Sequence, residues 1–180
     1  MTDPNKLSIG EDTLSLFINS DEIKTRVIHL AKKLENDLKK ENPLFLCVLN
    51  GAFMFASDLL RAFKYPCEIS FIKLSSYEGH DSTGKVKTLI GLTDNIKDRY
   101  VVIVEDIVDT GLTMKQLKRQ LEALEPKAVK IAALFLKPEK LLYDIKVDYY
   151  CFEILNRFVV GYGLDDNGRY RNIPAIYTKD

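Results

Sequence analysis

An excess of charge of one sign, paired cysteines and long apolar stretches are all missing from this sequence. Its 26 basic and 26 acidic side chains cancel, so bulk charge gives no sign of a nucleic-acid partner. No apolar run is long enough to span a bilayer and no signal-peptide pattern is found. A cytoplasmic protein without membrane contact is therefore expected. Only three cysteines occur, Cys47, Cys67 and Cys151, widely spaced and set among apolar residues. They read as reduced core thiols, not as a disulfide framework or a zinc site. His29 has no Cys, Asp or His at metal-ligand spacing and reads as a surface or packing residue. His80 reads as a solvated loop residue. Internal repeats and low-complexity segments are absent too.

What is there suits one soluble domain. A chain of 180 residues can bury a sizeable core. Asn19 followed by Glu22 offers a capping box, and Ile23, Val27, Leu30, Leu34 and Leu38 then recur at helical spacing until Pro43. Leu44 to Leu49 is a continuous apolar run that predicts a buried strand, broken by Asn50-Gly51 and followed by an apolar helix from Ala52 to about Phe63. Further strands are predicted at Cys67–Leu74, Thr88–Leu92, Val129–Leu136, Tyr149–Ile154 and Phe158–Gly161, with a brief one hinted by Leu14, Leu16 and Ile18. Strands alternating with helices predict an α/β fold whose central sheet is mostly parallel and flanked by helices. The whole chain reads as one domain, with a core over about 19–160. A small hood would come from the two ends, about 1–18 and 161–180.

The informative stretch is Tyr100-Val-Val-Ile-Val-Glu-Asp-Ile-Val-Asp-Thr-Gly-Leu-Thr113. The apolar, β-branched run Val101–Val104 suits a strand buried on both faces. It is expected to end in the acids Glu105, Asp106 and Asp109. A helix follows with Met114, Leu117, Leu121 and Leu124 on one face, stopped by Pro126. Ligands bind at the carboxyl edge of such sheets. Backbone N–H groups of Asp109, Thr110, Gly111, Leu112 and Thr113 can converge on a phosphate there, helped by the two threonine hydroxyls and the helix dipole. The carboxylates suit sugar hydroxyls, a divalent cation or a proton in transit. A plain helix cap is the ordinary reading of Asp-Thr at a helix start. Three acids at the end of a fully apolar strand are costly to bury, which favours a ligand site.

Val-Glu-Asp-Ile-Val-Asp-Thr-Gly resembles the phosphoribosyl-diphosphate-binding motif of type I phosphoribosyltransferases, most of all their hypoxanthine–guanine branch. The resemblance runs from about Leu44 to Arg171. It implies the family's fold and transfer of phosphoribosyl from phosphoribosyl diphosphate to hypoxanthine and/or guanine, giving IMP or GMP and diphosphate, with Mg²⁺ as cofactor. It places Glu105 and Asp106 at the ribose and the metal, and Asp109 at proton transfer. Asn50-Gly51 falls where the family binds diphosphate through backbone N–H groups, often with Lys-Gly. Here Asn50 replaces the Lys, and a cis bond between Leu49 and Asn50 is implied. Ser76-Tyr77 match the pair in a lid over about 75–88, and Arg171 matches a diphosphate clamp. Lys137, in Leu-Phe-Leu-Lys, matches a residue that donates to the purine 6-oxo group. Phe158 matches the aromatic that stacks on the base, Val159 the residue whose backbone reads its edge, and Asp165 a carboxylate on the metal and diphosphate side. Lys140 is the nearest candidate for the basic residues that often follow Lys137. A homodimer or homotetramer fits family habit. Three other readings stay open at this point: a regulator of this fold binding nucleotide and RNA or a partner without catalysis, a transferase for another base, and a metal-dependent phosphate-binding enzyme of another α/β family.

Overall fold

The computed structural model describes residues 5–9, 12–76 and 86–179. Six strands form the main sheet in the order β5-β4-β3-β6-β7-β8. They are β3 (Leu44–Leu49), β4 (Glu68–Ser76), β5 (Val86–Ile90), β6 (Tyr100–Val108), β7 (Ala128–Leu136) and β8 (Tyr149–Glu153). All neighbours run parallel except β5, which turns back antiparallel on β4. The helices are α1 (Ser20–Leu38), α2 (Phe53–Ala62) and α3 (Leu112–Glu122). No described helix is long and apolar enough to cross a membrane.

The two faces of the sheet are covered by different helices, which is why β3 and β6 read as unbroken apolar runs. Phe45, Cys47, Val102 and Val104 pack towards Ile23, Val27 and Leu34 of α1 and Phe55 and Leu59 of α2. Leu44, Leu46, Val101 and Ile103 pack towards Met114, Leu117 and Leu121 of α3. Asn19 caps α1 as its spacing predicts, its side-chain oxygen accepting from the Glu22 N–H at 2.9 Å. His29 lies on the exposed side of α1. The Leu49–Asn50 peptide bond is cis.

A second, antiparallel sheet forms the hood in the order β1-β2-β10-β9. It combines β1 (Lys6–Ile9) and β2 (Asp12–Ile18) with β9 (Val159–Val160) and β10 (Ile176–Thr178). Its inner residues Ile18, Val159 and Ile176 join the same core as α1 and α2. The strands β1 and β10 are short and carry too little alternation to be read from the sequence.

Two expectations change. The central strand does not stop at Val104. It continues through both adjacent acids to Val108, because β7 keeps pairing beside it, with Glu105 opposite Ala133 and Val108 opposite Leu136. Leu124 is not on the buried face of α3. The helix ends at Glu122 and Leu124 is half exposed, its N–H taken by the Leu121 carbonyl in a closing turn. The segment 77–85 of the expected lid, with Tyr77 and His80, lies outside the described residues.

Phe45 is fully buried on β3 and meets Phe63 edge-on, ring centroids 5.3 Å apart. Phe45→Ala should cost about 3–5 kcal/mol through lost burial and the cavity left behind. Thermal unfolding should then show Tm lower by roughly 10 °C.

Candidate active site at the carboxyl edge of the sheet

Glu105 and Asp106 sit near the carboxyl end of β6, and the two side chains serve different neighbours. Glu105 lines a cavity of about 140 Å³ together with Asp109, Thr110, Gly111 and Thr113. Gly111 caps α3 in the left-handed region, φ +84°, and no side chain caps the helix. A Cβ at Gly111 would stand 2.7 Å from the Ile145 side chain, so both the conformation and the room exclude a larger residue. The ordinary N-cap reading of Asp109 and Thr110 therefore does not hold. The Thr110 hydroxyl accepts only a long bond from the Leu112 N–H, 3.4 Å. An uncapped helix start facing a small polar cavity suits an anion.

Asp106 faces the turn after β3. A Cβ on Gly51 would lie 1.4 Å from Asp106 Oδ2, so the carboxylate occupies the space a side chain at 51 would need. The hood closes on the same turn, since a Cβ on Gly163 would lie 2.1 Å from the Gly51 carbonyl oxygen. Arg171 donates to the Gly163 carbonyl at 2.6 Å and pairs with Asp165 at 2.7 Å. Asn50, Gly51, Asp106, Gly163, Asp165 and Arg171 are thus drawn into one neighbourhood from three separate parts of the chain.

The acids are held under electrostatic tension. Burial pushes the Glu105 carboxyl well above the usual range, and the charge of Asp106 adds to it. Burial also raises Asp106, opposed by hydrogen bonds from Glu105 and the Ile107 N–H and by the charge of Arg171. Glu105 Oε1 accepts from the Asp106 N–H at 3.0 Å, and Asp106 Oδ1 from the Ile107 N–H at 2.7 Å. Two adjacent buried carboxylates with a single guanidinium in reach are a donor set that a divalent cation satisfies. Mg²⁺ is commonly held through one or two carboxylates with substrate oxygens completing the shell. Among the described residues no three Asp, Glu, His or Cys side chains gather as a metal cluster. The Asp165 oxygens accept from Arg171 and from the Gly168 N–H at 2.6 Å.

Asp109 is met by two lysines. Lys140 Nζ donates to Asp109 Oδ2 at 3.0 Å, and Lys137 Nζ lies 3.8 Å from the same oxygen. Asp109 Oδ1 is buried and has no hydrogen-bond partner among the described residues. Lys137 is itself buried at 7% exposure, which is unusual for a lysine at a strand end and rules out a solvated terminus.

Phe158 keeps 45% of its surface exposed, although it lies beside a buried strand. It borders cavities of about 310 and 450 Å³, both also lined by Lys179 and neither by Asp109 or Lys137. Its carbonyl accepts from the Thr178 hydroxyl at 2.7 Å, and Val159 is buried in the hood sheet. Ser76 ends β4, whose antiparallel partner is β5. Several contributors had no sequence signal of their own. They are Leu141 and Ile145 against Gly111, Gly163 against Gly51, and the buried Tyr162, whose hydroxyl donates to Asp58 at 2.7 Å. The Gly-Tyr-Gly spacing at 161–163 was the one available hint, since Gly161 and Gly163 both have positive φ.

Residues 19–167 match the family model of the phosphoribosyl transferase domain. The chain belongs to the phosphoribosyltransferase family. It is 40% identical over 167 residues to the hypoxanthine-guanine-xanthine phosphoribosyltransferase of Tritrichomonas foetus, covering 92% of this chain and 91% of that one. It is 38% identical over 169 residues to the hypoxanthine-guanine phosphoribosyltransferase of Streptococcus thermophilus, covering 93% and 94%. Among solved structures, a hypoxanthine-guanine phosphoribosyltransferase of Bacillus anthracis superposes with a TM-score of 0.86 at 38% identity, covering 91% of this chain and 95% of that chain. Open α/β sheets bind their ligands at the carboxyl edge of the parallel strands, the edge at which the acidic turn stands here.

Glu105→Gln keeps an acceptor at the buried Oε1 and removes a carboxyl whose ionised form is penalised by burial and by Asp106. The ligand-free variant should melt higher than the wild type by about 2–4 °C, a gain near 1 kcal/mol. An unchanged or lower Tm in calorimetry would show that the pair is not under repulsion.

Proposed function

We propose that this phosphoribosyltransferase works in purine salvage, moving the 5-phosphoribosyl group from phosphoribosyl diphosphate to hypoxanthine and/or guanine. The products are IMP or GMP and diphosphate. The observation that carries the reading is the cavity shared by Glu105, Asp109, Thr110, Gly111 and Thr113 over an uncapped helix start. Relatives named for hypoxanthine and guanine, matched along nearly their whole length, supply the substrate class. We further take the enzyme to be cytoplasmic and, in keeping with the family resemblance, a homodimer or homotetramer.

In this mechanism the backbone N–H groups from Asp109 to Thr113, with the Thr110 and Thr113 hydroxyls, hold the 5′-phosphate. Glu105 and Asp106 face the ribose hydroxyls and the metal. Glu105 and Asp106, with Asp165, would hold Mg²⁺, which would supply neutralisation of the charge on the departing diphosphate. The Asn50-Gly51 backbone and Arg171 hold that leaving group, with Asp165 on the side of the metal and Ser76 and Tyr77 of the expected lid excluding water. Lys137 donates to the 6-oxo oxygen, Phe158 stacks on the ring and the Val159 backbone reads its edge. A 6-amino purine offers Lys137 no acceptor, so adenine is a poor fit. As the purine N9 bonds to the anomeric carbon, the bond to diphosphate breaks and the N7 proton passes to Asp109. Holding both reactants over one sheet edge supplies much of the acceleration.

Purified protein with Mg²⁺ and phosphoribosyl diphosphate, given hypoxanthine, guanine, xanthine, adenine and uracil in turn, should yield nucleotide from the first two. Nucleotide from none of them would end the reading. Asp109→Asn should lower kcat roughly 100- to 1,000-fold with phosphoribosyl-diphosphate binding largely kept. Unchanged turnover in that variant would remove Asp109 from proton transfer.

A further inference from the structure

The segment that carries Lys140 is fastened to the chain on both sides of Asp109. The Lys137 N–H donates to the Val108 carbonyl at 3.0 Å, and the Leu142 N–H donates to the Thr110 carbonyl at 3.1 Å. Between these two ties lies a single 3-10 turn, Pro138–Lys140, opened by the proline. Leu141 and Ile145 then pack against Gly111. The turn is therefore registered to the residue before Asp109, to the residue after it and to the start of α3. Its one cation that reaches inward, Lys140, ends 3.0 Å from Asp109 Oδ2.

The geometry points to Lys140 as a positioning residue for Asp109. Oδ1 is buried, so the partly exposed carboxylate meets the purine on its Oδ2 side, and Lys140 fixes that oxygen in place to receive the proton from the purine. Lys137 cannot do this alone. It lies farther from Oδ2, at 3.8 Å, and in the reading given above it turns to the 6-oxo group once a base arrives. Lys140 is then the cation left to hold the carboxylate. The inference rests on that reading of Asp109. The proton balance is simple: the N7–H bond breaks, an O–H bond forms on the Asp109 carboxylate, and Lys140 gives up nothing.

The experiment compares Lys140→Gln, Lys140→Arg, Asp109→Asn and the double variant Asp109→Asn/Lys140→Gln with the wild type, using hypoxanthine and phosphoribosyl diphosphate. Lys140→Gln should lower kcat roughly ten- to a hundredfold, while KM for phosphoribosyl diphosphate stays within about twofold and Tm is unchanged. Lys140→Arg should restore most of the loss. In the Asp109→Asn background the Gln substitution should cost nothing more, because the partner through which Lys140 acts is already gone. Full kcat in Lys140→Gln, or losses that add in the double variant, would overturn the inference and leave the function standing. A wild-type enzyme that made no nucleotide would bring down the function and this inference with it.

Discussion

The pairing of β6 with β7 is the constraint on which the rest depends. It continues past the last apolar residue and carries Glu105 into the sheet, with Val108 still in register. Backbone groups there are satisfied partly by β7 and partly by the acids themselves, which take the Asp106 and Ile107 N–H groups, so the chain can hold two adjacent acids largely out of water. Opposite orientation does the remainder: Glu105 looks into the cavity beside α3, and Asp106 presses on Gly51. Had the strand ended at Val104, the acids would lie on a loop, free to hydrate and spread apart. Their raised protonation range follows from being denied that freedom.

Most of the core was legible because its periods are strong. Helix α1 was given by five apolar positions at helical spacing and an Asn cap that the structure repeats. Runs such as Leu44–Leu49 announced strands covered on both faces, and two separate core clusters meet them. The edge of the sheet was harder. Nothing local in Val-Glu-Asp-Ile-Val says that β7 will keep pairing with it, since that depends on residues about thirty positions downstream. The hood was legible only as an arrangement of chain ends, because β9 spans two residues and β10 three.

The site shows the same division. Asp109, Thr110 and Gly111 announced themselves by composition. Lys137 was identified through family likeness, and its deep burial agrees with a task other than solvation. Lys140 was only a candidate by family likeness and had no role from the sequence, because its place comes from a turn tied to Val108 and Thr110 by backbone bonds that any residues could make. Gly163 and Gly51 likewise contribute by what they lack, which no pattern of side chains reveals. Asn50, where the family resemblance expects a lysine, leaves the turn's backbone open, because the neighbouring position is the one that crowds Asp106.

The order of strands in the hood has a bearing on how the protein acquires its shape. β10 lies between β2 and β9, with Ile176 opposite Ile18 and Tyr177 opposite Val160. The β2–β10 contact closes a loop that contains the whole main sheet, whereas β3, β4, β6 and β7 find partners much nearer along the chain. Long closures cost more chain entropy before they return any contact. The parallel sheet should therefore nucleate first and the hood zip up last, so that a refolding molecule owns its acidic turn before it owns a roof. Pulsed hydrogen exchange would register this as early protection of Val102 and Ile131 and late protection of Tyr177.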